Sequence, residues 1–191
     1  LEIQKVNGIL LDLGLSSFQL DSKNRGFSYK TNCELDMRFD RSQKISALNI
    51  VNNMPEKMLA DLIYYNSEEK RSRAIARKII SMRPINKVFD LVEAIKKSTP
   101  PFKRDKTISR VFQAVRISVN NELEKLDHFL STFYPRLLNG GRIVIISFHS
   151  MEDRKVKHAF KFLKSENKVQ ILTKKPLMAT EEEIVENSRS K

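Results

Sequence analysis

The sequence holds a single cysteine, Cys33, and several common site signatures are missing from it. One cysteine excludes an internal disulfide and a Cys-rich zinc site, and we expect it to be an inert thiol in a reducing cytosol. The chain contains no H-E-x-x-H, no G-x-x-x-x-G-K-[ST] and no G-x-S-x-G, and it has only five glycines. These absences argue against a zinc protease, a P-loop nucleotide hydrolase and a serine hydrolase built on a nucleophile elbow.

Long apolar runs are missing as well. No stretch approaches the ~20 apolar residues that a membrane-spanning helix needs. No charged leader precedes an apolar segment and a cleavage site, which is the pattern of a signal peptide. We therefore expect a cytoplasmic protein that has no contact with a membrane.

The charge of the chain is strongly one-sided. Thirty-five Lys and Arg residues stand against 23 Asp and Glu residues, which gives a formal net charge of +12. Such a surplus favours a polyanionic partner, above all nucleic acid, although a basic ribosome-associated or membrane-surface protein would have the same balance. With 40% hydrophobic residues in 191, the chain suits one large domain or one domain with an insertion.

Two apolar runs look like strands of a parallel sheet. "VNGILLDL" (6–13) and "RIVIISF" (142–148) are almost continuously apolar, as in strands that are covered on both faces. Gly140 and Gly141 are expected to form the turn before the second strand. Parallel strands need a crossover, but about 130 residues separate these two, far more than one helix requires. The excess predicts an inserted subdomain.

The segment between the two strands is predicted to be mainly helical. Pro55 suits a first helical position, and Ser67 suits the N-cap of the helix that follows it. One long amphipathic helix over 108–133 would then lead into the second strand. The shorter helices are expected at 45–53, 55–66, 68–82 and 88–98.

Three further elements are predicted near the end of the chain. Ser150 and Asp153 form the pattern of a capping box that begins a helix. "VQILT" (169–173) is a candidate third strand, and Thr180 is expected to cap a short acidic helix.

Polar residues follow the first strand at the place where α/β sheets bind ligands, beyond the carboxyl ends of the strands. Asp12 ends the run and is placed to hold a cofactor or a substrate amine. Ser16, Ser17 and Gln19 offer hydrogen-bonding groups on the loop that follows. The structural alternative stays open: Asp12 would cap a turn and the serines would begin a helix.

The second strand ends in the same way, in Phe148 and His149. If the two strands are neighbours, both polar endings lie side by side. Phe148 would stack on a planar ring and His149 would bond the edge of that ring. This repetition favours a ligand site over a purely structural role.

A basic stretch, "EEKRSRAIARKIISMR" (68–83), contains Arg73 and Arg77, which share one helix face at a spacing of four. We expect the two arginines to contact RNA phosphates, helped by the basic "PFKRDK" at 101–106. The alternative is an ordinary solvated helix face.

Six stretches taken together resemble the bacterial 16S ribosomal RNA cytosine-N4 methyltransferases, the RsmH or MraW family. The resemblance runs in order from about residue 6 to residue 189, with Met151 in place of a leucine. The stretches are "GILLDLGLSSFQLD" (8–21), "RGFSY" (25–29), "LDMRFD" (35–40), "EEKRSRAIARKI" (68–79), "FQAVRISVNNELE" (112–124) and "GGRIVIISFHSMEDR" (140–154).

The resemblance implies a Rossmann-like α/β sheet dependent on S-adenosyl-L-methionine, with an inserted helical subdomain. Residues 1–19 and 106–191 would form the methyltransferase part and residues 20–105 the RNA-recognition subdomain. The reaction implied is methyl transfer to the exocyclic N4 of a cytidine in 16S ribosomal RNA of the small ribosomal subunit. Monomer and homodimer both stay open.

The same resemblance implies roles for individual residues. Asp12 and Gln19 would contact S-adenosyl-L-methionine, and Asp12 is also the candidate catalytic residue. The expected substrate contacts are Ser16, Ser17, Phe148, His149, Arg73 and Arg77. No metal is expected.

The chain departs from the family at its front, where the glycine-rich donor-binding loop of the first strand is missing. We therefore expect the N-terminal strands to be absent and this chain alone to bind the donor poorly. The rival interpretation is a non-catalytic basic RNA-binding or ribosome-assembly protein that keeps only the RNA-contacting half. A donor loop encoded in frame before Leu1 would favour the enzyme.

Overall fold

A computed structural model describes residues 4–187 and shows a mixed α/β fold. Within that range the helices outnumber the strands, and the one sheet has two strands. The strands are β1 (Val6–Asp12) and β2 (Leu137–Ile146). The helices are α1 (Ser17–Asp21), α2 (Ala47–Asn53), α3 (Glu56–Ser67), α4 (Ser72–Ser81), α5 (Val88–Lys97), α6 (Arg104–Asn120), α7 (Glu122–Thr132), α8 (Ser150–Ser165) and α9 (Glu181–Glu186).

The two strands pair in parallel, which confirms the prediction from the two apolar runs. Asp12 lies opposite Ile146, and the Leu13 N–H donates to the Ile146 carbonyl at 3.1 Å, so the carboxyl ends of both strands meet. The prediction that Gly140 and Gly141 form a turn before the second strand is wrong, because both glycines lie within β2. The pairing is irregular between Val6 and Gly8, and Gly140 there has a φ of +77°.

Only one face of this sheet is covered by the described residues. Alternate side chains pack against α7 and α8, with Ile143 and Ile145 half-buried over Leu126. On the other face Leu10 is 70% exposed, Val144 55% and Ile146 43%. The expectation of strands covered on both faces is therefore wrong for this part of the chain, because its helices lie on a single side.

A larger hydrophobic core lies in the helical region. Helix α3 packs against both α4 and α6, and α5 adds its own apolar face. Loop residues before α2 also enter this core. The largest fully buried side chains include Leu35, Met37, Leu59, Ile63, Ile75, Ile79, Leu91 and Ile95. The helical character predicted for the segment between the two strands is thus observed in the packed helices.

The prediction of a single long helix over 108–133 is wrong, because the helix is interrupted at Asn121. This residue has a left-handed φ of +51°, which ends α6 and begins α7. An apolar stripe persists across the break, so helical periodicity did not reveal it. The predicted strand at 169–173 is also wrong, since those residues are irregular and no strand within residues 4–187 pairs with them.

Three predicted helix starts shift by one residue or more. Pro55 is the N-cap, not the first residue, of α3. Ser67 does not cap α4: it ends α3 and is buried, with its hydroxyl donating to the Ile63 carbonyl at 2.6 Å. His149, not Ser150, caps α8. Thr180 caps α9 through a capping box, as predicted.

Candidate active site at the ends of the two strands

The chain passes between the two hydrophobic cores at two neighbouring places. Leu13 packs against the smaller core and Leu15 against the larger one. Val119, in α6, belongs to the larger core, whereas Leu126, in α7, belongs to the smaller. The ends of β1 and α6 therefore lie where the two cores adjoin.

A cleft of about 240 Å³ opens there. Its walls combine apolar side chains from both crossing points with the phenyl ring of Phe39. A cleft at the carboxyl ends of parallel strands, between two packed units, is a usual place for a ligand. Its polar lining residues are Asp12, Asn120, Glu122, Lys125 and Glu152.

Asp12 is the sequence-predicted residue that the structure places most directly in the cleft. It is the last residue of β1, and its side chain is exposed. An exposed carboxylate at this position accepts hydrogen bonds from an amine or from hydroxyl groups.

Gly14 brings the two strand endings together. Its φ is +86°, and a Cβ atom there would lie 3.3 Å from the ring of Phe148. Glycine is therefore needed both for the backbone conformation and for the close approach of the ring. Phe148 is 53% exposed, so part of its surface is open for stacking, but the residue lies beside the cleft and does not line it.

Ser16 and Gln19 hold one another in a capping box at the start of α1. The Gln19 N–H donates to Ser16 Oγ at 3.2 Å, and the Ser16 N–H donates to Gln19 Oε1 at 3.0 Å. Ser17 is the first residue of this helix and is exposed. The observed contacts of Ser16 match the structural alternative, in which the serines begin a helix. Ser16, Ser17 and Gln19 do not line the cleft.

Glu152 has a buried carboxylate that stabilises the turn after β2 by a hydrogen bond. It is 3% exposed, and its Oε2 accepts the Phe148 N–H at 2.9 Å. The Glu152 N–H donates to His149 Nδ1 at 3.4 Å. His149 Nε2 lies 3.1 Å from Glu152 Oε1, without hydrogen-bond geometry. The imidazole therefore faces its own helix, and His149 does not line the cleft.

The pKa of Glu152 lies below its ordinary value of 4.5. Burial acts to raise this pKa, but the adjacent imidazole of His149, the Phe148 N–H and the charge of Arg116 together outweigh burial. The carboxylate is consequently ionised at neutral pH, and the cleft contains a fixed negative charge.

Glu152→Gln should flatten the acid side of the stability curve. Because the folded pKa is lowered, the carboxylate stabilises the fold fully above pH 4.5 and loses this effect as pH falls through the folded value. The difference in unfolding free energy between the wild type and the variant should shrink below pH 4.5, as measured by urea unfolding at stepped pH. Glu124→Gln, at an exposed position in α7, is the control. A constant difference across that range would contradict the prediction.

Asn120 is buried and fully hydrogen-bonded. Its Nδ2 donates to the Met37 carbonyl at 2.8 Å and to the Arg116 carbonyl at 2.9 Å. Its Oδ1 accepts the Phe39 N–H at 2.7 Å. Asn120 therefore ties the loop that carries Phe39 to the end of α6. Next to it, Arg116 holds Glu122 through two contacts of 2.9 Å.

Arg73 and Arg77 lie elsewhere, on the exposed surface of α4. Arg77 forms an exposed ion pair with Glu56 at 3.6 Å. Neither arginine lines the cleft, so the structure does not bring them together with Asp12.

The structure adds Glu152, Asn120 and Phe39 to the candidate site. All three lie inside the stretches "GGRIVIISFHSMEDR", "FQAVRISVNNELE" and "LDMRFD", so the signal was present in the sequence. It did not single out these residues, because their roles depend on contacts between distant segments.

Two negative findings apply to residues 4–187. No group of three or more His, Cys, Asp or Glu side chains there is arranged to hold a metal ion. None of the helices in that range combines the length and the apolarity needed to cross a membrane.

Comparison with known proteins gives one family. The sequence model of the MraW methylase family matches residues 1–191. A protein from Thermotoga neapolitana named "Ribosomal RNA small subunit methyltransferase H" is 49% identical, over 100% of this chain and 65% of its own length. Proteins of the same name from Nostoc punctiforme and Kosmotoga olearia are 47% and 49% identical, over 62% and 65% of their lengths. The chain thus spans less than two thirds of these relatives.

Proposed function

Because the chain belongs to the MraW methylase family, we propose that it serves in methyl transfer from S-adenosyl-L-methionine to the N4 amine of a cytidine in 16S ribosomal RNA. The observation that carries the proposal is the cleft where Asp12 meets the turn of Phe148 and Glu152. The names of the relatives support an RNA of the small ribosomal subunit as the substrate. We expect the reaction to occur in the cytoplasm.

We propose that β1 and β2 belong to a Rossmann-like sheet whose exposed face is covered by further helices, since the faces of a parallel sheet are covered by helices and its strands add only at the edges. Three apolar side chains, Leu10, Val144 and Ile146, are left open to solvent on that face. Residues 1–19 and 106–191 would form this methyltransferase part. Residues 20–105 would form the inserted RNA-recognition subdomain, which shares the larger core with α6.

The residues present fit one side of the methyl donor. The exposed Asp12 carboxylate suits the donor's ammonium or ribose hydroxyl groups, and Gln19 keeps its amide NH₂ free of the capping box. The cleft of about 240 Å³ is smaller than the ~300–1,000 Å³ of complete small-molecule sites. When bound, the donor would supply an electrophilic methyl group on a sulfonium sulfur.

The chain's own residues would hold the cytosine and exclude water. The N4 lone pair is delocalised into the ring, so alignment of the amine is the main requirement, and no covalent nucleophile is needed. Cys33 therefore has no part in the reaction. The base must leave its stack to reach the cleft, where the open side of Phe148 would receive it.

The remaining substrate contacts are proposed at the rim of the cleft. Ser16 and Ser17 are exposed at the start of α1 and would bond the ribose or phosphate of the target nucleotide. His149 would bond the edge of the base after turning away from Glu152.

We propose that Arg73 and Arg77 contact phosphates of the ribosomal RNA. Arg73→Ala combined with Arg77→Ala should weaken RNA binding and lower the slope of log K against log salt by ~0.7 to 0.9 for each phosphate that an arginine no longer neutralises. Lys161→Ala with Lys164→Ala removes the same charge from the exposed surface of α8 and is the control. An unchanged slope in fluorescence titrations would mean that the arginines form only a solvated face.

The direct test is methyl transfer by the gene product that contains this chain. The protein is incubated with methyl-labelled S-adenosyl-L-methionine and small-subunit ribosomal RNA, and the RNA is digested to nucleosides. We expect the label in N4-methylcytidine, identified by mass spectrometry. RNA binding without any label in the RNA would favour the non-catalytic RNA-binding alternative.

A further inference from the structure

A second pocket, separate from the cleft, is lined by α4, the end of α5 and the beginning of α6. Its volume is about 450 Å³, and no carboxylate is among its lining residues. Its charged lining residues are all cations: Arg71, Arg77, Lys78, Lys96, Lys97 and Arg104. So many positive charges in one concavity repel one another, and an anion bound between them would relieve the repulsion.

Two of these cations are already fixed in place by the turn that ends α5. Arg71 donates from Nε and Nη2 to the Ser98 carbonyl, at 3.0 and 2.8 Å. Arg104 donates from Nε to the carbonyl of the next residue, Thr99, at 3.3 Å. Each guanidinium has five N–H donors, so each keeps several for a ligand. The turn therefore holds two phosphate-binding groups in position before any ligand arrives.

The wall of the pocket also contains a buried hydroxyl group. Thr99 is 4% exposed, and its Oγ1 has no hydrogen-bond partner within residues 4–187. A buried polar group without a partner is unusual in a folded protein. Its position among six cations points to the same class of ligand, an anion with several acceptor oxygens.

The carboxylates that contact residues of this pocket do not neutralise it. The buried Glu69 accepts the Arg71 backbone N–H at 3.0 Å, and its other oxygen pairs with Arg110, outside the pocket, at 3.4 Å. Glu56 pairs with Arg77 at 3.6 Å, and Glu93 pairs with Lys97 at 3.6 Å, and all four side chains are about half exposed or more. Exposed pairs of this kind interact weakly.

We propose that this pocket binds one phosphodiester group of the RNA backbone, held by the guanidinium groups of Arg71 and Arg104 together with the ammonium groups of Lys78 and Lys96. Guanidinium groups match phosphate oxygens in geometry and charge, whereas a lysine contributes a point charge. A phosphate contact fixes the position of an RNA but does not read its sequence. The pocket would therefore anchor the substrate at a distance from the base that enters the cleft. This inference rests on the proposed function, because that function provides the RNA.

The test uses the full chain and a short fluorescein-labelled single-stranded RNA. Lys78→Gln with Lys96→Gln should lower the affinity several-fold and the salt slope by ~0.7, the value for one phosphate. Arg104→Gln should lower the slope by the same amount, and adding it to the lysine pair should lower it no further. Lys161→Gln with Lys164→Gln on α8 is the charge-matched control and should leave the slope unchanged.

Two features of the design keep the outcomes distinct. Within residues 4–187 the ammonium groups of Lys78 and Lys96 form no hydrogen bond, and their backbone carbonyls keep their bonds to Ser81 Oγ and the Thr99 N–H after substitution by Gln. The double lysine variant therefore tests binding even if Arg104→Gln unfolds. Circular dichroism melting curves verify the fold of each variant. Inorganic phosphate should compete with RNA for the wild type more strongly than chloride at equal ionic strength, and this difference should disappear in the lysine pair.

Wild-type RNA binding with unchanged slopes in the pocket variants would overturn this inference and leave the proposed function standing. Competition by inorganic phosphate without any effect of the variants on RNA would assign the pocket to free phosphate and overturn it too. If the wild type did not bind RNA at all, both this inference and the proposed RNA substrate would fail.

Discussion

Asp12→Ala is expected to lower the kcat/KM of methyl transfer by ~100-fold or more, equivalent to ~2.7 kcal/mol of transition-state stabilisation. The carboxylate ends β1 in the cleft, beside the loop where Gly14 meets the ring of Phe148. Its removal would eliminate a charged group at the junction of donor and base. Because Asp12 is exposed, the fold should not depend on it.

The measurement is the transfer assay on the gene product that contains this chain. Asp61→Ala provides a matched control, since Asp61 is an exposed aspartate on α3 that lies outside the cleft. Equal melting temperatures for the wild type and both variants would confirm that only the chemistry has changed. Wild-type kcat/KM in Asp12→Ala would show that the cleft is not the transfer site.

Asn120→Ala should be the most destabilising of the substitutions considered, by ~3 to 5 kcal/mol. Three hydrogen bonds would be broken, and the Phe39 N–H and the Met37 carbonyl would lose the partner that the buried Asn120 provides. For a chain of this length the melting temperature should fall by ~10 °C. The loop of Phe39 would also lose its attachment to α6, so one wall of the cleft would loosen.

The control is Asn53→Ala, at an exposed asparagine that ends α2. It removes the same amide from a position without a comparable network and should change the unfolding free energy little. Chemical unfolding of both variants at neutral pH gives the comparison. Equal decreases in the two variants would mean that the Asn120 network contributes no special stability.

The position of Asp12 in the cleft could be predicted from the sequence and that of Asn120 could not, for a physical reason. A carboxylate directly after a run of apolar residues is unusual, and it can be recognised from the local sequence. If the run is a parallel strand, the carboxylate lies at the carboxyl end, where α/β sheets bind ligands. The partners of Asn120 are 83 and 81 residues away in the chain. Contacts between such distant residues leave no pattern in the local sequence. From the sequence, Asn120 therefore cannot be distinguished from an ordinary polar residue of a helix.

The same distinction explains the errors in the fold. The pairing of β1 and β2 followed from two apolar runs with matching ends, and the structure confirms it. The break at Asn121 depends on one left-handed residue within a continuous apolar stripe, and the periodicity of side chains does not register a backbone angle. The segment 169–173 has strand-like composition, but a strand also requires a neighbour to pair with.

Because the protein has two separate hydrophobic cores, a substitution in one core is expected to have little effect on the other. Substitutions in the smaller core, around Leu126 and Ile143, act mainly on the sheet and on the Asp12 side of the cleft. The helices that carry Arg71 and Arg104 depend on the larger core. Effects of changes in separate clusters add nearly independently. A substitution that loosens the smaller core should therefore disturb the Asp12 side of the cleft and leave the pocket of Arg71 and Arg104 intact, so the two sites can change independently of one another.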